Sequence, residues 1–306
     1  MRSIEREIGR FVGVEAGPSL VVVAGIHGNE PAGVEAARRV LARLADDDVP
    51  LKGELVVLAG NLAGLRAGVR YFERDLNRTW SEAQVARLKT KAPGSLVAED
   101  KEQHELLAAI DEVQARARGV VHLADCHTSS APGVPFVLFG ASPAQRAFVQ
   151  AFPIPVISGI VEQVEGVLSE FVGRRGWVTF SVEGGQHEAP MSRDSLEAII
   201  WLSMNQAGML GDAAAREVDR ASKVLDDMRG DLPRMVEVIS RHSITAEDAF
   251  VMERGFRNVD RIAEGQLLAR DCRGEVRAKE NGVVVLPLYQ ALGNDGFFWG
   301  REVRAP

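Results

Sequence analysis

LVVVAGIHGNEPAG, residues 20–33, is the stretch that decides the fold of this 306-residue chain. A continuous apolar run of strand length, residues 20–25, is followed by HGNEP and then by an apolar series with helical spacing. Pro31 suits the first helical position, because proline lacks the N–H that would be unsatisfied there. The stretch therefore predicts a strand, a loop and a helix, with His27 and Glu30 on the loop at the helix entrance.

Further apolar runs of strand length follow along the chain, with helical patterns between them. Strands are predicted over residues 54–59, 120–125 and 177–183, helices over 84–90, 102–117 and 194–228, and a mobile loop over 89–100. This alternation predicts a mostly parallel α/β sheet. Ligands bind at the carboxyl ends of the strands in such sheets, so His27, His127 and Glu183, each at a predicted strand end, should converge on one edge.

The pattern changes near Gly230. Beyond it, short apolar runs such as NGVVVLPLY alternate with turn signals such as RGFRNVDRIAEG. The sequence therefore predicts a catalytic domain over residues 1–230 and a small β-rich domain over residues 231–306. We expect the second domain to form a wall of the substrate channel.

Composition limits the classes of function. The chain is 46% hydrophobic and carries a net charge of −7, with acidic and basic residues mixed along its length, so it offers no basic stripe to nucleic acid. Its first apolar run is too short to span a membrane and lacks the flanks of a signal peptide. These features predict a cytoplasmic protein with a small-molecule substrate and neither a nucleic-acid nor a membrane partner; they leave the oligomeric state open, a homo-oligomer included.

The histidines and carboxylates are the candidate metal ligands. The two cysteines, Cys126 and Cys272, fit neither a disulfide framework nor a CxxC site. A zinc hydrolase uses three protein ligands and keeps one position open, and His27, Glu30 and His127 supply such a set. The H-x-x-E spacing alone is weak, since an exposed histidine and a glutamate favoured by the helix dipole would give the same pattern.

Four motifs in the same order strengthen this interpretation: GIHGNEPAG, YFERDLNR, ADCHTS and SVEGG. Together they resemble the aspartoacylase and succinylglutamate desuccinylase family, relatives of the zinc carboxypeptidases, over roughly the first 200 residues. The resemblance implies a zinc-carboxypeptidase-like mixed sheet flanked by helices. It also implies Zn²⁺ bound by His27, Glu30 and His127, with Glu183 as the general base.

The same resemblance assigns further site residues. It makes Arg70 the electrophilic helper, and Asn77 and Arg78 substrate contacts, through an R-Y-x-x-x-D-L-N-R pattern. Guanidinium groups bind carboxylates in a bidentate manner, which suits this role. Relatives also place a substrate-binding Arg and Tyr in the neighbourhoods of Arg174 and Tyr289, although the alignment slips by one residue at Arg174, and Tyr289 fits a packing role equally well.

Strand alternation separates the remaining candidates. His122 and Cys126 should point away from the face that carries His127, so neither is expected to bind the metal. Among the other histidines, His187 is the one whose position fits the edge of the site.

The predicted reaction is hydrolysis of the amide bond of an N-acyl amino acid, with Glu183 activating water. One alternative is a zinc carboxypeptidase acting on short peptides or cell-wall-type amides. A second is a metal-dependent binding protein without catalysis. The sequence does not choose the acyl group, the amino acid or a divalent ion other than zinc.

Overall fold

A mixed β-sheet flanked by helices forms the computed structural model, which describes residues 4–140 and 142–303. The strands are β1 (Glu7–Val12), β2 (Glu15–Ala24), β3 (Lys52–Ala59), β4 (Val121–Ser129), β5 (Phe136–Leu138), β6 (Val156–Ser158), β7 (Val178–Gln186), β8 (Met235–Ser243), β9 (Val251–Met252), β10 (Asp260–Ile262), β11 (Leu267–Asp271), β12 (Gly274–Arg277), β13 (Gly282–Val285) and β14 (Asp295–Glu302). The helices are α1 (Ala32–Asp46), α2 (Leu62–Ala67), α3 (Glu82–Thr90), α4 (Ala98–Arg116), α5 (Pro143–Val149), α6 (Leu168–Gly173), α7 (Pro190–Gln206) and α8 (Ala215–Arg229).

Eleven strands form one sheet in the order β1-β3-β2-β4-β7-β5-β6-β8-β14-β13-β10. Its centre, β3-β2-β4-β7, is parallel, whereas β1 runs antiparallel to β3, and β5 antiparallel to β7. The C-terminal strands β8, β14, β13 and β10 pair with one another in antiparallel fashion. The predicted α/β class with a mixed sheet and a β-rich C-terminal part is confirmed.

Helices cover both faces of the central strands, which explains why these strands are apolar throughout rather than alternating. On one face, Leu20 and Val22 of β2 pack in a cluster with residues of α1, α7 and α8. On the other face, Val21 and Val23 pack with residues of α3, α4 and α6. With both faces buried, the functional side chains are confined to the carboxyl ends of the strands.

Three local predictions need correction. The helical stretch 194–228 is two helices, because α7 ends at Gln206 and α8 begins at Ala215. The loop predicted over 89–100 contains a short 3₁₀ turn and the start of α4 at Ala98, whose acidic first turn was mistaken for loop sequence. Pro31 is the residue before the first helical position of α1 rather than that position itself.

The sheet continues across the expected domain boundary. β8 pairs in parallel with β6, Met235 opposite Val156, immediately after the chain leaves α8. A separate sheet, β12-β11-β9, completes the C-terminal part. The division of the chain at Gly230 stays a prediction. No helix of the described residues is long and apolar enough to cross a membrane.

Candidate active site

His27, Glu30 and His127 meet in one buried cluster. The Nδ1 atom of His27 lies 3.0 Å from Glu30 Oε1, and the Nδ1 atom of His127 lies 3.2 Å from Glu30 Oε2. One potential ligand atom from each residue lies within 4.8 Å of the other two. Two imidazole nitrogens and a carboxylate are a ligand set that zinc accepts, so the residues present fit the ion that the motifs imply.

The loop that follows β2 holds His27 and Glu30 in place. Gly28 accepts no side chain, because a Cβ there would come within 2.0 Å of the backbone carbon of Gly64. Its N–H donates to the carbonyl of Arg70 at 3.2 Å. Glu30 receives a further hydrogen bond of 3.0 Å from the backbone N–H of Thr128, which links the H-x-x-E segment to the end of β4.

Carboxylates hold the outer nitrogens of both histidines. Asp75 Oδ1 lies 2.9 Å from His27 Nε2, and Asp125 Oδ2 lies 3.1 Å from His127 Nε2. The Asp75 contact is a hydrogen bond, which fixes the orientation of His27 and leaves its Nδ1 free to bind a metal. Neither oxygen of Asp125 has a hydrogen-bond partner among the described residues, so Asp125 acts on His127 through its charge. Asn77 Nδ2 also lies 3.2 Å from His127 Nε2, while its Oδ1 accepts a 2.9 Å hydrogen bond from the Leu168 N–H.

The charges of the cluster shift its titration. Burial opposes ionisation of Glu30 and Asp75, but the charge of His27 and hydrogen bonds with histidines outweigh it and hold the pKa of both acids well below their usual range. Burial likewise lowers the pKa of His127, yet Asp125 and Glu30 together raise it well above the usual value. Glu30 is therefore anionic at neutral pH.

Glu183 lies beside the cluster and behaves differently. It belongs to β7 and stands opposite His127 of β4 in the parallel register. Burial raises the pKa of Glu183 to about 8, with the charge of His127 opposing this shift and that of Glu30 adding to it. Its Oε2 atom is buried without a hydrogen-bond partner among the described residues. A carboxyl group placed in this way is suited to accept and release a proton.

Arg70 and Arg78 frame the cluster on the side of the YFERDLNR segment. Arg70 donates to Glu30 Oε1 at 3.2 Å and to Asp75 Oδ2 at 3.1 Å, so its charge lies next to a proposed metal ligand. Arg78 donates to the backbone carbonyl of Asn77 and, at 2.8 Å, to Asp295 of β14.

These residues open into a cavity of about 400 Å³. Of the residues proposed from the sequence, those that line it are His27, Glu30, Arg70, Asn77, Arg78, His127, Arg174 and Glu183. The side chain of Arg174 is 64% exposed and forms an ion pair of 2.6 Å with Glu170. Tyr289 is not among the described residues that line the cavity. Its hydroxyl donates to the Glu253 carbonyl and accepts from the Phe256 N–H.

The C-terminal part of the chain closes one side of this cavity. It contributes Leu286, Pro287, Leu288, Gln290, Gly293, Asp295 and Phe298. His187 connects the two parts, with Nδ1 2.8 Å from the Thr128 hydroxyl and Nε2 3.1 Å from Gln290 Oε1.

Sequence reasoning missed several residues of the site. Asp75 lies within the DLNR motif, which is a signal for it, but only Asn77 and Arg78 of that motif are predicted as site residues. Glu99 is fully buried at the start of α4 and accepts hydrogen bonds from the N–H groups of Phe72 and Glu73, which holds the loop that carries Arg70. Asp295 lies in a sequence without any motif, and no local signal points to it.

A buried His–Glu–His cluster and an unpaired glutamate at the carboxyl edge of a mixed α/β sheet define a hydrolase of the carboxypeptidase-like class. The sequence model of the succinylglutamate desuccinylase/aspartoacylase catalytic domain matches residues 16–202, more than half of the chain. The chain belongs to this family of amide-bond deacylases.

Individual proteins agree with this assignment. Succinylglutamate desuccinylase of Burkholderia thailandensis is 28% identical over 262 residues, which is 83% of this chain and 70% of the relative. The crystal structure of succinylglutamate desuccinylase from Chromobacterium violaceum matches with a TM-score of 0.62 at 22% identity, covering 95% of this chain and 87% of the other. That of succinylglutamate desuccinylase/aspartoacylase from Rhodobacter sphaeroides gives 0.69 at 16% identity, covering 96% and 88%. At these identities the two structures support the fold alone.

Proposed function

We propose that this protein is a zinc-dependent deacylase that hydrolyses the amide bond of an N-acyl amino acid, with Glu183 as general base. The observation that carries the proposal is the free, buried Oε2 atom of Glu183 next to the His27–Glu30–His127 cluster. Membership of a deacylase family supports the reaction class.

His27, Glu30 and His127 would hold the ion, through the nitrogens and oxygens that face one another. Once bound, zinc supplies Lewis-acid polarisation of the amide carbonyl and makes water more acidic. Asp75 orients the His27 imidazole and Asp125 lies beside that of His127, so the ligand set is organised before the substrate arrives.

Glu183 takes a proton from the attacking water and then delivers it to the nitrogen of the leaving amine. Burial favours the neutral carboxyl group, which makes the second transfer easier, and the positive charge of Arg70 favours the carboxylate needed for the first. The Arg70 guanidinium stabilises negative charge that develops on the amide oxygen. Asn77 and Arg78, which belong to the YFERDLNR segment, bind the substrate.

The test is release of free amine from a panel of N-acetyl and N-succinyl amino acids and short peptides, before and after chelation and after zinc is restored. Turnover of an N-acyl amino acid that chelation abolishes and zinc restores is the expected result. Turnover of peptides alone would favour the carboxypeptidase alternative. No turnover by the zinc-loaded protein would contradict the proposal and favour a binding protein.

A further inference from the structure

Every arginine that lines the described cavity already has a carboxylate partner from the protein. Arg70 is paired with Glu30 and Asp75, and Arg174 is paired with Glu170. Arg78 is paired with Asp295, an acid supplied by the far end of the chain. The arginines of the cavity are therefore not free to bind a second substrate carboxylate in addition to the carboxylate that every amino acid carries.

Asp295 is built into a buried charge network. Its Oδ2 accepts from Arg78 at 2.8 Å, and its Oδ1 accepts from Nε of Arg241 on β8. Arg241 also donates to the Gln163 carbonyl at 3.1 Å, which fixes it in place. The side chain of Asp295 is only 15% exposed, so its negative charge is weakly screened. Arg78 is the guanidinium group of this network that lines the described cavity, so the network can bind at most one substrate carboxylate.

Beyond Glu183, β7 lines the cavity with uncharged hydrogen-bonding groups, while Glu162, Glu170 and Arg174 are charged residues elsewhere in the lining. Thr179, Ser181 and Glu183 alternate along β7, so they share one face, and Thr179 lies roughly 13 Å from Glu183 along the strand. Thr179 Oγ1 accepts a 2.7 Å hydrogen bond from Gln145 Nε2, and Ser181 Oγ donates to Ser169 Oγ at 3.0 Å. We call these four side chains, Gln145, Ser169, Thr179 and Ser181, the hydroxyl pocket.

Two glycines leave the space that makes this pocket accessible. A Cβ at Gly173 would lie 2.9 Å from Thr179 Oγ1, and one at Gly140 would lie 3.0 Å from Gln145 Oε1. Both glycines line the cavity together with all four members of the hydroxyl pocket. The pocket is therefore open to a small polar group that can replace or extend the hydrogen bonds among its members.

A substrate carboxylate in this pocket would lose its hydration without gaining a cationic partner, whereas an amide or hydroxyl group would keep its hydrogen bonds. We propose that the substrate is an N-acyl amino acid with a single carboxylate and that it presents an uncharged hydrogen-bonding group to the hydroxyl pocket. This inference rests on the proposed function. Asp295 then acts as a specificity-determining residue, because it neutralises Arg78 and repels a second carboxylate.

Isosteric substrate pairs test this directly: N-acetylglutamine against N-acetylglutamate, and N-acetylasparagine against N-acetylaspartate, with N-acetylmethionine as an uncharged side chain that lacks strong hydrogen bonds. We expect kcat/KM for the better amide substrate to be at least about tenfold higher than kcat/KM for the corresponding acid. We expect it to exceed kcat/KM for N-acetylmethionine by a similar factor. Equal or better turnover of the acids, or a preference for N-acetylmethionine, would overturn the inference. No turnover of any N-acyl amino acid would overturn the proposed function itself.

Two variants separate the contributions. Asp295→Asn releases Arg78 and Arg241, so the acid substrates should gain on the amides by about tenfold or more. Glu237→Gln is its matched control, because Glu237 pairs with Arg301 across the same two strands, β8 and β14, but outside the cavity. An unchanged amide-to-acid ratio in folded Asp295→Asn would overturn its assigned role.

Ser181→Ala provides a second, independent measurement that does not disturb the charge network, because Ser181 lies about 7 Å from Glu183 along β7, within reach of a glutamine side chain. It removes one hydroxyl from the pocket, so kcat/KM for the amide substrate should fall while that for N-acetylmethionine stays constant. Equal effects on both substrates, with the thermal unfolding temperature unchanged, would show that the pocket does not contact the side chain and would overturn the inference.

Discussion

Asp75 illustrates how single residues set the properties of the site. It lies 2.9 Å from His27 Nε2 and also receives a hydrogen bond of 3.1 Å from Arg70, so one buried carboxylate orients a proposed metal ligand and the proposed electrophile. Asp125 lies 3.1 Å from His127 Nε2 and acts on that imidazole through its charge. The Asp75 hydrogen bond explains why His27 presents Nδ1 to Glu30.

Asp75→Asn should therefore weaken zinc binding by roughly 10- to 100-fold, since a neutral amide orients His27 less firmly and no longer strengthens its basicity. Competition with a chromogenic chelator measures the affinity. Glu73→Gln, which changes an exposed acid of the same loop, should leave it unchanged. Equal affinities of Asp75→Asn and the wild-type protein would contradict the role given to Asp75.

At the scale of elements, the start of α4 supports the loop that carries Arg70. Glu99 is fully buried and accepts from the N–H of Phe72 at 2.7 Å and of Glu73 at 3.2 Å. Its neighbour Asp100 pairs with Arg74 and Lys91, so the acidic first turn of the helix anchors two segments that lack regular structure.

Glu99→Ala should lower the free energy of unfolding by about 1–3 kcal/mol, because two buried N–H groups lose their acceptor. Denaturation in urea measures the change. The matched control is Glu112→Ala, which removes an exposed glutamate from the same helix and should cost far less. A loss no greater than that of the control would show that the loop does not depend on Glu99.

The elements also show how far the sequence alone reaches. The strand, loop and helix around His27 were predictable, because periodicity and Pro31 are local signals, and strand-end positions brought Glu183 and His127 to the same edge. The role of Glu99 was not predictable, because its hydrogen-bond partners lie 27 and 26 residues earlier in an irregular loop. The acids at the start of α4 have the same composition as a solvated loop, and only tertiary contacts distinguish the two.

At the scale of the whole molecule, the continuous sheet brings distant segments into one site. β8 extends the sheet from β6, and β14 then places Asp295 against Arg78, which is 217 residues away in the chain. No local pattern encodes such a contact, because it depends on the order of the strands. The same is true of Gln290 and the other C-terminal residues that close the cavity.

The contribution of His122 to stability should fall as the pH is lowered through the range in which histidine titrates. His122 is buried against Phe148, with ring centroids 4.8 Å apart, and burial lowers its pKa. The unfolded chain therefore binds a proton at His122 more readily than the folded chain, so stability is lost as the pH falls below about 6.5.

His122→Phe keeps the aromatic contact and removes this titration, so the free energy of unfolding of the variant should rise relative to that of the wild-type protein as the pH falls from about 7 to 5. Urea denaturation at several pH values measures the slope. His104→Phe, which removes an exposed histidine from α4, is the control. A slope for His122→Phe as steep as that of the wild-type protein would contradict the assignment.

The most direct test of the central claim compares turnover and zinc content in Glu183→Gln and in Glu188→Gln, an exposed acid five residues further along the chain. The account predicts that both variants fold and retain zinc, that Glu188→Gln keeps wild-type turnover, and that Glu183→Gln loses on the order of 10² to 10⁴ in kcat. Full turnover by a folded, zinc-loaded Glu183→Gln would contradict the claim that Glu183 is the general base.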